Sequence, residues 1–478
     1  MNDPLPALLM SRSRQPRLAT AIAEICAPWD RQDSPGCVVA VMRDGEVLHC
    51  RGYGMADLGR GIALAPSSVF DIGSLAKQFT AIAAALLAEE RKLALDDDVR
   101  DYVPETRQYG ERITVRHLVH HTSGLRDYLD LLALAGRRHL GASTAEVLAL
   151  LERQRGLNFV PGAEFRYSNS GYVLLAAVVA HAAGCSLADY AEAAIFRPLG
   201  MTSTRFEEGG REGGGDLALA YSRLASGDFT VDTAGVNLAG DGALLTTAED
   251  LCRWERNFYD NRLGAGGPEL MRQAATPGRL NSGETLDYAF GLFLGKLGSH
   301  PILYHGGTFA AYRAGLVRCQ EERLSVLCLA NLATVDAERV VRRIAGLGLG
   351  ENERPAEPEE TAAGPEGQEP GEEEAAAPTP RELDDYAGRY ASDELDVAHE
   401  IHHQEGQLHI RMQAIPFPLP LTPTTRDQFT TQGGVVSVRF QRDPARRISG
   451  FIVSSPGVQG LRFTGPGPAG PAPGESGA

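Results

Sequence analysis

No apolar run in the 478-residue chain reaches the length of a membrane span, and the opening MNDPLPALLMSRSRQPRL holds no apolar core followed by a small-residue cleavage site. A membrane-embedded protein is not expected, and the expected location is cytoplasmic. Basic residues are not in excess either. Lys and Arg total 46 against 62 Asp and Glu, a net charge of −16, so a nucleic-acid partner is not expected. Seven cysteines (Cys26, Cys37, Cys50, Cys185, Cys252, Cys319 and Cys328) are odd in number and scattered, mostly in apolar runs. They show no recurring metal-ligand spacing, and are expected to be reduced core thiols. Tryptophan is scarce; Trp29 and Trp254 are expected in the core. No internal repeat is found.

What is present divides the chain. Residues 1–350 read as one mixed α and β domain, in which a lead precedes a helix with Leu18, Ile22 and Ile25 on one face. CVVAVMRD (37–44) and EVLHCRGYG (46–54) flank Asp44-Gly45, a hairpin signal. Helical patterns then dominate over 95–290, at 113–125, 144–153, 170–184 and 186–196, with a Gly-rich loop at 207–216. Strands return at 300–307, 312–319 and 324–331, followed by a helix over 335–347. One antiparallel sheet built from both ends of this region, flanked by helices and interrupted by a helical subdomain, is an α/β (α+β) fold. Residues 351–380 hold ten Glu and one Arg and no large apolar side chain, which makes them a disordered acidic linker carrying nine of the sixteen net negative charges. Short β-like runs over 381–465 read as a small antiparallel barrel or sandwich, and 466–478 as a disordered tail.

Three separated pieces carry chemistry. DIGSLAKQFTAIAAALLAEERKL (71–93) sets Ser74 and Lys77 one turn apart at the start of a helix with one buried face, after a glycine at 73 suited to a sharp turn. A serine hydroxyl needs a base within hydrogen-bond reach, and a lysine one turn away supplies it when its surroundings favour the neutral amine. Tyr167-Ser168-Asn169 lies in a loop just before a helix. Tyr167 can relay a proton and Asn169 can donate and accept, while the plainer reading has Ser168 or Asn169 capping the helix. His305-Gly306-Gly307 sits inside a strand pattern, where glycines mark close backbone approach or an edge bulge. The N–H groups of Ser74 and Thr308 would then make a two-donor oxyanion hole. The pairs His120-His121 and His402-His403 are adjacent and are read as packing residues rather than metal ligands, and Asp96-Asp97-Asp98 as a solvated loop and cap.

Together Ser74-Leu-Ala-Lys77, Tyr167-Ser-Asn169 and His305-Gly-Gly307 resemble the penicillin-recognising serine hydrolases, in the order and rough spacing of their class C branch. HHTSGL (120–125), NSGYVLLA (169–176), RPLGMTST (197–204) and GDGALLTTAEDLCRW (240–254) resemble the same branch, so the likeness covers roughly residues 20–348. It implies a β-lactamase/transpeptidase-like fold, Ser74 as the acylated nucleophile, Lys77 as proton acceptor and Tyr167 as general acid/base. It implies Asn169 as the residue that positions Lys77 and substrate, and no metal or cofactor. Many family members carry Lys where this chain has His305, and that Lys binds a substrate carboxylate. A histidine there, with a barrel after the catalytic region, resembles D-aminopeptidases and related esterases. The expected partners are small-molecule or short-peptide substrates: small amides, D-residue peptides or esters. The rival readings are a β-lactamase or D-Ala-D-Ala carboxypeptidase, and a non-catalytic scaffold relative. A Ser-His-Asp enzyme would need a G-x-S-x-G elbow, which is absent. The oligomeric state and the docking of the barrel are left open.

Overall fold

A computed structural model of the protein describes residues 17–137, 142–207, 217–232, 238–350, 382–412, 415, 417–431 and 433–467. The expected acidic linker, all but one residue of the Gly-rich loop 207–216 and residues 468–478 of the tail lie outside the described residues. Along the chain come helix α1 (17–26), strands β1 (Cys37–Arg43) and β2 (Glu46–Tyr53), and a 3₁₀ turn Gly73–Ala76 running into α2 (Lys77–Glu89). Then follow α3 (Tyr128–Leu134), α4 (Asn169–Ala183), α5 (Ala248–Asn257), strands β3 (Phe293–Leu297), β4 (His300–Phe309), β5 (Tyr312–Cys319) and β6 (Leu324–Ala330), α6 (Ala337–Leu349) and a barrel.

The chain packs as two compact units, and the partition differs from the expected boundary at 350. One unit comprises the described residues of Met1–Val103, Arg112–Thr122 and Gly171–Glu357; the other comprises those of Pro104–Glu111, Ser123–Ser170 and Pro358–Ala478. A contiguous-domain reading misses this because residues 123–170 bury their polar groups against strands some 300 residues later.

In the first unit a six-stranded sheet has the order β3-β4-β5-β6-β1-β2. β1 lies between β2 and β6, so the sheet does join both ends of the region. The hairpin turns at Asp44 and Gly45, whose φ values of 54° and 82° are the pair of positive angles a tight type I′ turn requires. Alternation along the strands sends Cys37, Val39, Val41, Val317, Val326 and Cys328 to one face, where they pack with Ile22 and Cys26 of α1 and Val340 and Ile344 of α6. Arg318, of opposite parity to Val317, points to the other face and meets α5. Its Nε donates to Glu255 Oε2 at 2.8 Å, and its guanidinium lies 3.3 Å over the Phe258 ring. Both charges are buried, so each is held by the other. Trp254 of α5 is fully buried and donates to Gln78 Oε1 at 2.6 Å, tying α5 to α2; Trp29 is only half-buried.

Five cysteines are buried, but Cys50 is half-buried and Cys185 exposed, against the expectation of core thiols; Cys185 sits in the bend after α4, where no layer covers it. No single helix among the described residues is long and apolar enough to cross a membrane.

In the second unit eight antiparallel strands close into a barrel, from Gly388–Ser392 to Val458–Gly467. The last strand runs two residues past the expected end at 465, so residues 466 and 467 are strand rather than tail. Tyr386, Tyr390, Phe429, Phe440, Phe451 and Phe463 are buried and in ring contact in succession, an aromatic filling that a narrow barrel needs.

Candidate active site

Ser74 sits on the 3₁₀ turn, half-exposed, while Gly73, Leu75, Ala76 and Lys77 around it are buried. Gly73 has φ +49°, and a Cβ there would lie 2.8 Å from the backbone N of Thr308, so both handedness and close approach demand glycine. Its N–H donates to Asp71 Oδ1 at 2.8 Å, which fixes the entry to the turn. The helix behind it departs from expectation: α2 is buried on all sides from Lys77 to Leu87, not on one face.

Lys77 has no exposed surface. Its Nζ donates to Ser74 Oγ at 3.0 Å and to the Asp241 carbonyl at 2.9 Å, and lies 5.6 Å from the centre of the Tyr172 ring. Lys77 is one of three lysines in the chain, with Lys92 and Lys296. The arginines that supply the remaining cations cannot give up a proton, so the identity of this residue has chemical weight. The Asp241 carbonyl was not foreseen. It is set by Gly240, whose φ is +116° and whose Cβ would fall 2.4 Å from the Tyr172 carbonyl oxygen. The Gly240 carbonyl in turn accepts from Thr80 Oγ1 at 2.8 Å. Two successive carbonyls of the stretch GDGALLTT thus face α2, and the paired glycines were the only trace of this in the sequence.

β4 brings the third piece. Its register with β5 is unbroken through His305↔Leu316, Gly306↔Gly315 and Gly307↔Ala314, so no bulge interrupts the strand there. β3 pairs only as far as Tyr304, and beyond it the 3₁₀ turn packs against β4. A Cβ on Gly307 would lie 1.9 Å from the Ile72 carbonyl oxygen, while one on Gly306 would meet Glu338 of α6 on the opposite face. The first unit therefore assembles Ser74, Lys77, His305, Gly307, an exposed Thr308 and the Asp241 carbonyl.

His305 is 3% exposed, beside Phe293 and Tyr288. Burial, and then the charge of Lys77, bring its pKa down to about 3, so it is a neutral imidazole at pH 7. Its Nδ1–H donates to the Gly306 carbonyl, which leaves Nε2 as the acceptor nitrogen. His120 is likewise lowered, to about 4, by burial. In both cases the unfolded chain takes up the proton first, near the ordinary 6.5. Stability therefore falls as pH drops below 6.5 and goes on falling until each folded pKa is reached, at roughly 1.4 kcal/mol per pH unit for each group. His305→Gln is expected to weaken this dependence. In thermal melts from pH 7 to 4.5, the wild-type curve should approach that of the variant as pH falls; a constant offset would refute the assignment.

Tyr167, Ser168 and Asn169 belong to the second unit, whose border with the first passes through α4 between Ser170 and Gly171. Tyr167 and Asn169 are half-buried and Ser168 is buried. Asp127, from a different segment, accepts from the Asn169 N–H at 2.5 Å and from the Leu129 N–H at 3.0 Å, so one carboxylate serves the N-termini of α3 and α4. Ser170 Oγ donates to the Arg126 carbonyl and accepts from the Tyr128 N–H. Nothing in the sequence marked Asp127. Of the paired histidines, His121 Nε2 lies 3.1 Å from Tyr288 Oη, and His403 Nδ1 is 2.7 Å from Asp384. Asp98 caps a 3₁₀ turn and Asp96 pairs with Arg116, as a solvated loop would.

The family described as Beta-lactamase matches residues 21–349. The chain is 32% identical over 314 residues to penicillin-binding protein 4* of Bacillus subtilis (strain 168), covering 62% of this chain and 68% of that one. It is 31% identical over 323 residues to a D-aminopeptidase of Gluconobacter oxydans (strain 621H), covering 67% of this chain and 60% of the relative, so it spans about three-fifths of that protein's length. In three dimensions it is similar to the octameric penicillin-binding protein homologue from Pyrococcus abyssi, with TM-score 0.60 and 23% identity over 94% of this chain and 99% of the other, a likeness of fold.

Proposed function

The chain belongs to the β-lactamase family of serine hydrolases, and from that premise we propose that it cleaves small amides, peptides with an N-terminal D-residue, or esters through an acyl-enzyme on Ser74. The observation that carries this reading is the contact of Lys77 Nζ with Ser74 Oγ at 3.0 Å, fully buried on the lysine side. In the proposed reaction Lys77 accepts the Ser74 proton as Oγ bonds to the substrate carbonyl carbon. The carbonyl electron pair moves to oxygen, where the N–H groups of Ser74 and Thr308 stabilise it. Tyr167 returns a proton to the leaving nitrogen or oxygen as the tetrahedral species collapses, and then activates the water that frees Ser74. Asn169 orients Lys77 and the substrate amide. The roles of Tyr167 and Asn169 are taken from their motif's place in the family.

His305 favours this reading over the β-lactamase or D-Ala-D-Ala carboxypeptidase alternative. A neutral imidazole offers no fixed charge to a substrate carboxylate, whereas substrates without one lose nothing there. The D-aminopeptidase relatives point the same way.

Intact-protein mass spectrometry, after parallel incubation with a short-chain p-nitrophenyl ester, D-alanine p-nitroanilide and a penicillin, tests the reading. Turnover of the ester or anilide with an adduct on Ser74 supports it. Efficient turnover of a penicillin or cephalosporin would favour the alternative. No adduct and no turnover with any of the three would turn the choice to a non-catalytic relative.

A further inference from the structure

We propose that the barrel is a positioning device for the Tyr167–Asn169 loop, acting through α3, with Asp127 and Asp130 as positioning residues and the barrel turn Ser455–Gln459 as their seat. The proposal rests on Tyr167 being the proton donor assigned above, and all of its contacts lie within the second unit.

α3 has seven residues, too few to hold a helix by itself, so its geometry comes from what it touches. Both of its ends are fixed on the barrel. At the start, the Asp127 N–H donates to the Gly457 carbonyl at 2.8 Å. Asp130 Oδ2 accepts from Ser455 Oγ at 2.5 Å and from the Gly457 N–H at 2.8 Å. Just before it, the buried Arg126 guanidinium donates to Glu394 at 2.8 Å, to Gln154 Oε1 at 3.1 Å and to the Gln459 carbonyl at 3.2 Å. At the far end, the buried His399 lies with Nε2 2.7 Å from the Leu134 carbonyl, one of the terminal carbonyls the helix leaves unsatisfied.

The other side of the same few residues carries the loop. The Asp127 carboxylate takes the Asn169 N–H, and Ser170 Oγ bridges the Arg126 carbonyl and the Tyr128 N–H at 2.7 and 2.8 Å. Tyr167 is two residues upstream of that anchor. A hydrogen-bonded path thus runs from the barrel turn to Asp127 and Asp130, and from Asp127 to the backbone that bears Tyr167. No slack exists at its centre: a Cβ on Gly457 would lie 2.8 Å from Asp127 Cβ and 2.8 Å from Asp130 Oδ2. A carboxylate is suited to this place because it accepts several N–H groups at once.

Displacing the loop should harm the step that Tyr167 serves and spare the attack by Ser74. p-Nitrophenyl butyrate and methyl butyrate give the same acyl-enzyme, but nitrophenolate leaves unaided and methoxide must be protonated. The change in the ratio of their kcat/KM values from wild type to variant therefore reports on leaving-group protonation. In the full-length protein, Tyr167→Phe should widen that ratio by about 10²-fold. Gly457→Val and Asp130→Asn should each widen it by about 10-fold or more, in the same direction, with nitrophenyl ester acylation within about 3-fold of wild type. Should Gly457→Val fail to fold, Asp130→Asn, which keeps side-chain shape, makes the same comparison. A widened ratio in Tyr167→Phe with an unchanged ratio in the folded barrel variants would overturn the positioning role and leave the mechanism standing. An unchanged ratio in Tyr167→Phe would overturn the role assigned to Tyr167, and this proposal with it.

Discussion

Ser74→Ala is expected to reduce turnover by about 10⁴-fold or more and to remove all covalent labelling, while the melting temperature stays within a few degrees of wild type. Oγ is the atom to which the acyl group bonds, and no other group in the assembled site replaces it. Tyr172 presents its ring to Lys77, and the hydroxyl of Thr80 is committed to the Gly240 carbonyl. The substitution is structurally mild because alanine suits a 3₁₀ turn and the side chain is half-exposed. Lys77 keeps its bond to the Asp241 carbonyl, so its buried Nζ loses one partner and not all of them. That single loss corresponds to about 1 kcal/mol. Intact mass after ester incubation, with calorimetry on the same sample, checks both halves. A variant that still acquires the acyl mass would move the nucleophile elsewhere; one that unfolds would show that the contact with Lys77 is a structural support.

What was legible in the sequence was local. The Asp44-Gly45 hairpin, the turn at Gly73 and strands β4 to β6 each follow from residues within ten positions of one another, through turn chemistry, a glycine's permitted angles and apolar alternation. The glycine pair at 306 and 307 could be seen as a close approach, but which neighbour approaches could not. The sheet places Ile72 on one side and Glu338 on the other. Two kinds of feature stayed hidden. The first is function carried by main chain: the Asp241 carbonyl that holds Lys77 has no side-chain signature, because every residue owns such an oxygen. The second is polar contact over long separations. Asp127 reaches Asn169 42 positions away, and Asp130 reaches Ser455 at 325. Such contacts satisfy no periodicity, since each is chosen by the pairing of whole elements. The protonation state of His305 belongs here as well. The imidazole is an ordinary residue in the sequence, and only the packing of Phe293, Tyr288 and Lys77 around it keeps it neutral well below pH 6.5.

Gly307→Ala is the second large effect expected. The added methyl would sit 1.9 Å from the Ile72 carbonyl oxygen, well inside van der Waals contact, so either the strand or the turn must give way. The turn has little freedom. The Ile72 N–H donates to the Leu244 carbonyl at 3.1 Å, and its carbonyl accepts from the Leu75 N–H at 3.2 Å, the bond that closes the turn bearing Ser74. Ala314 Cβ would stand 3.3 Å away on the β5 side, which blocks a simple rotation of the strand. The movement therefore falls on the distance between Ser74 and Thr308, the two residues whose N–H groups are assigned to the oxyanion. A displacement of about 1 Å in such a pair lowers kcat/KM by about 10²-fold, and the strain itself destabilises the fold by about 1–3 kcal/mol. Gly306→Ala provides the contrast, because its methyl would meet the carboxylate end of Glu338, a side chain that can swing aside, and so it should lose less activity than its neighbour. The comparison is made with kcat/KM for a nitrophenyl ester and thermal melts of both variants. If Gly307→Ala stayed within about 3-fold of wild type, the close packing of β4 on the Ser74 turn would not be what sets the oxyanion geometry.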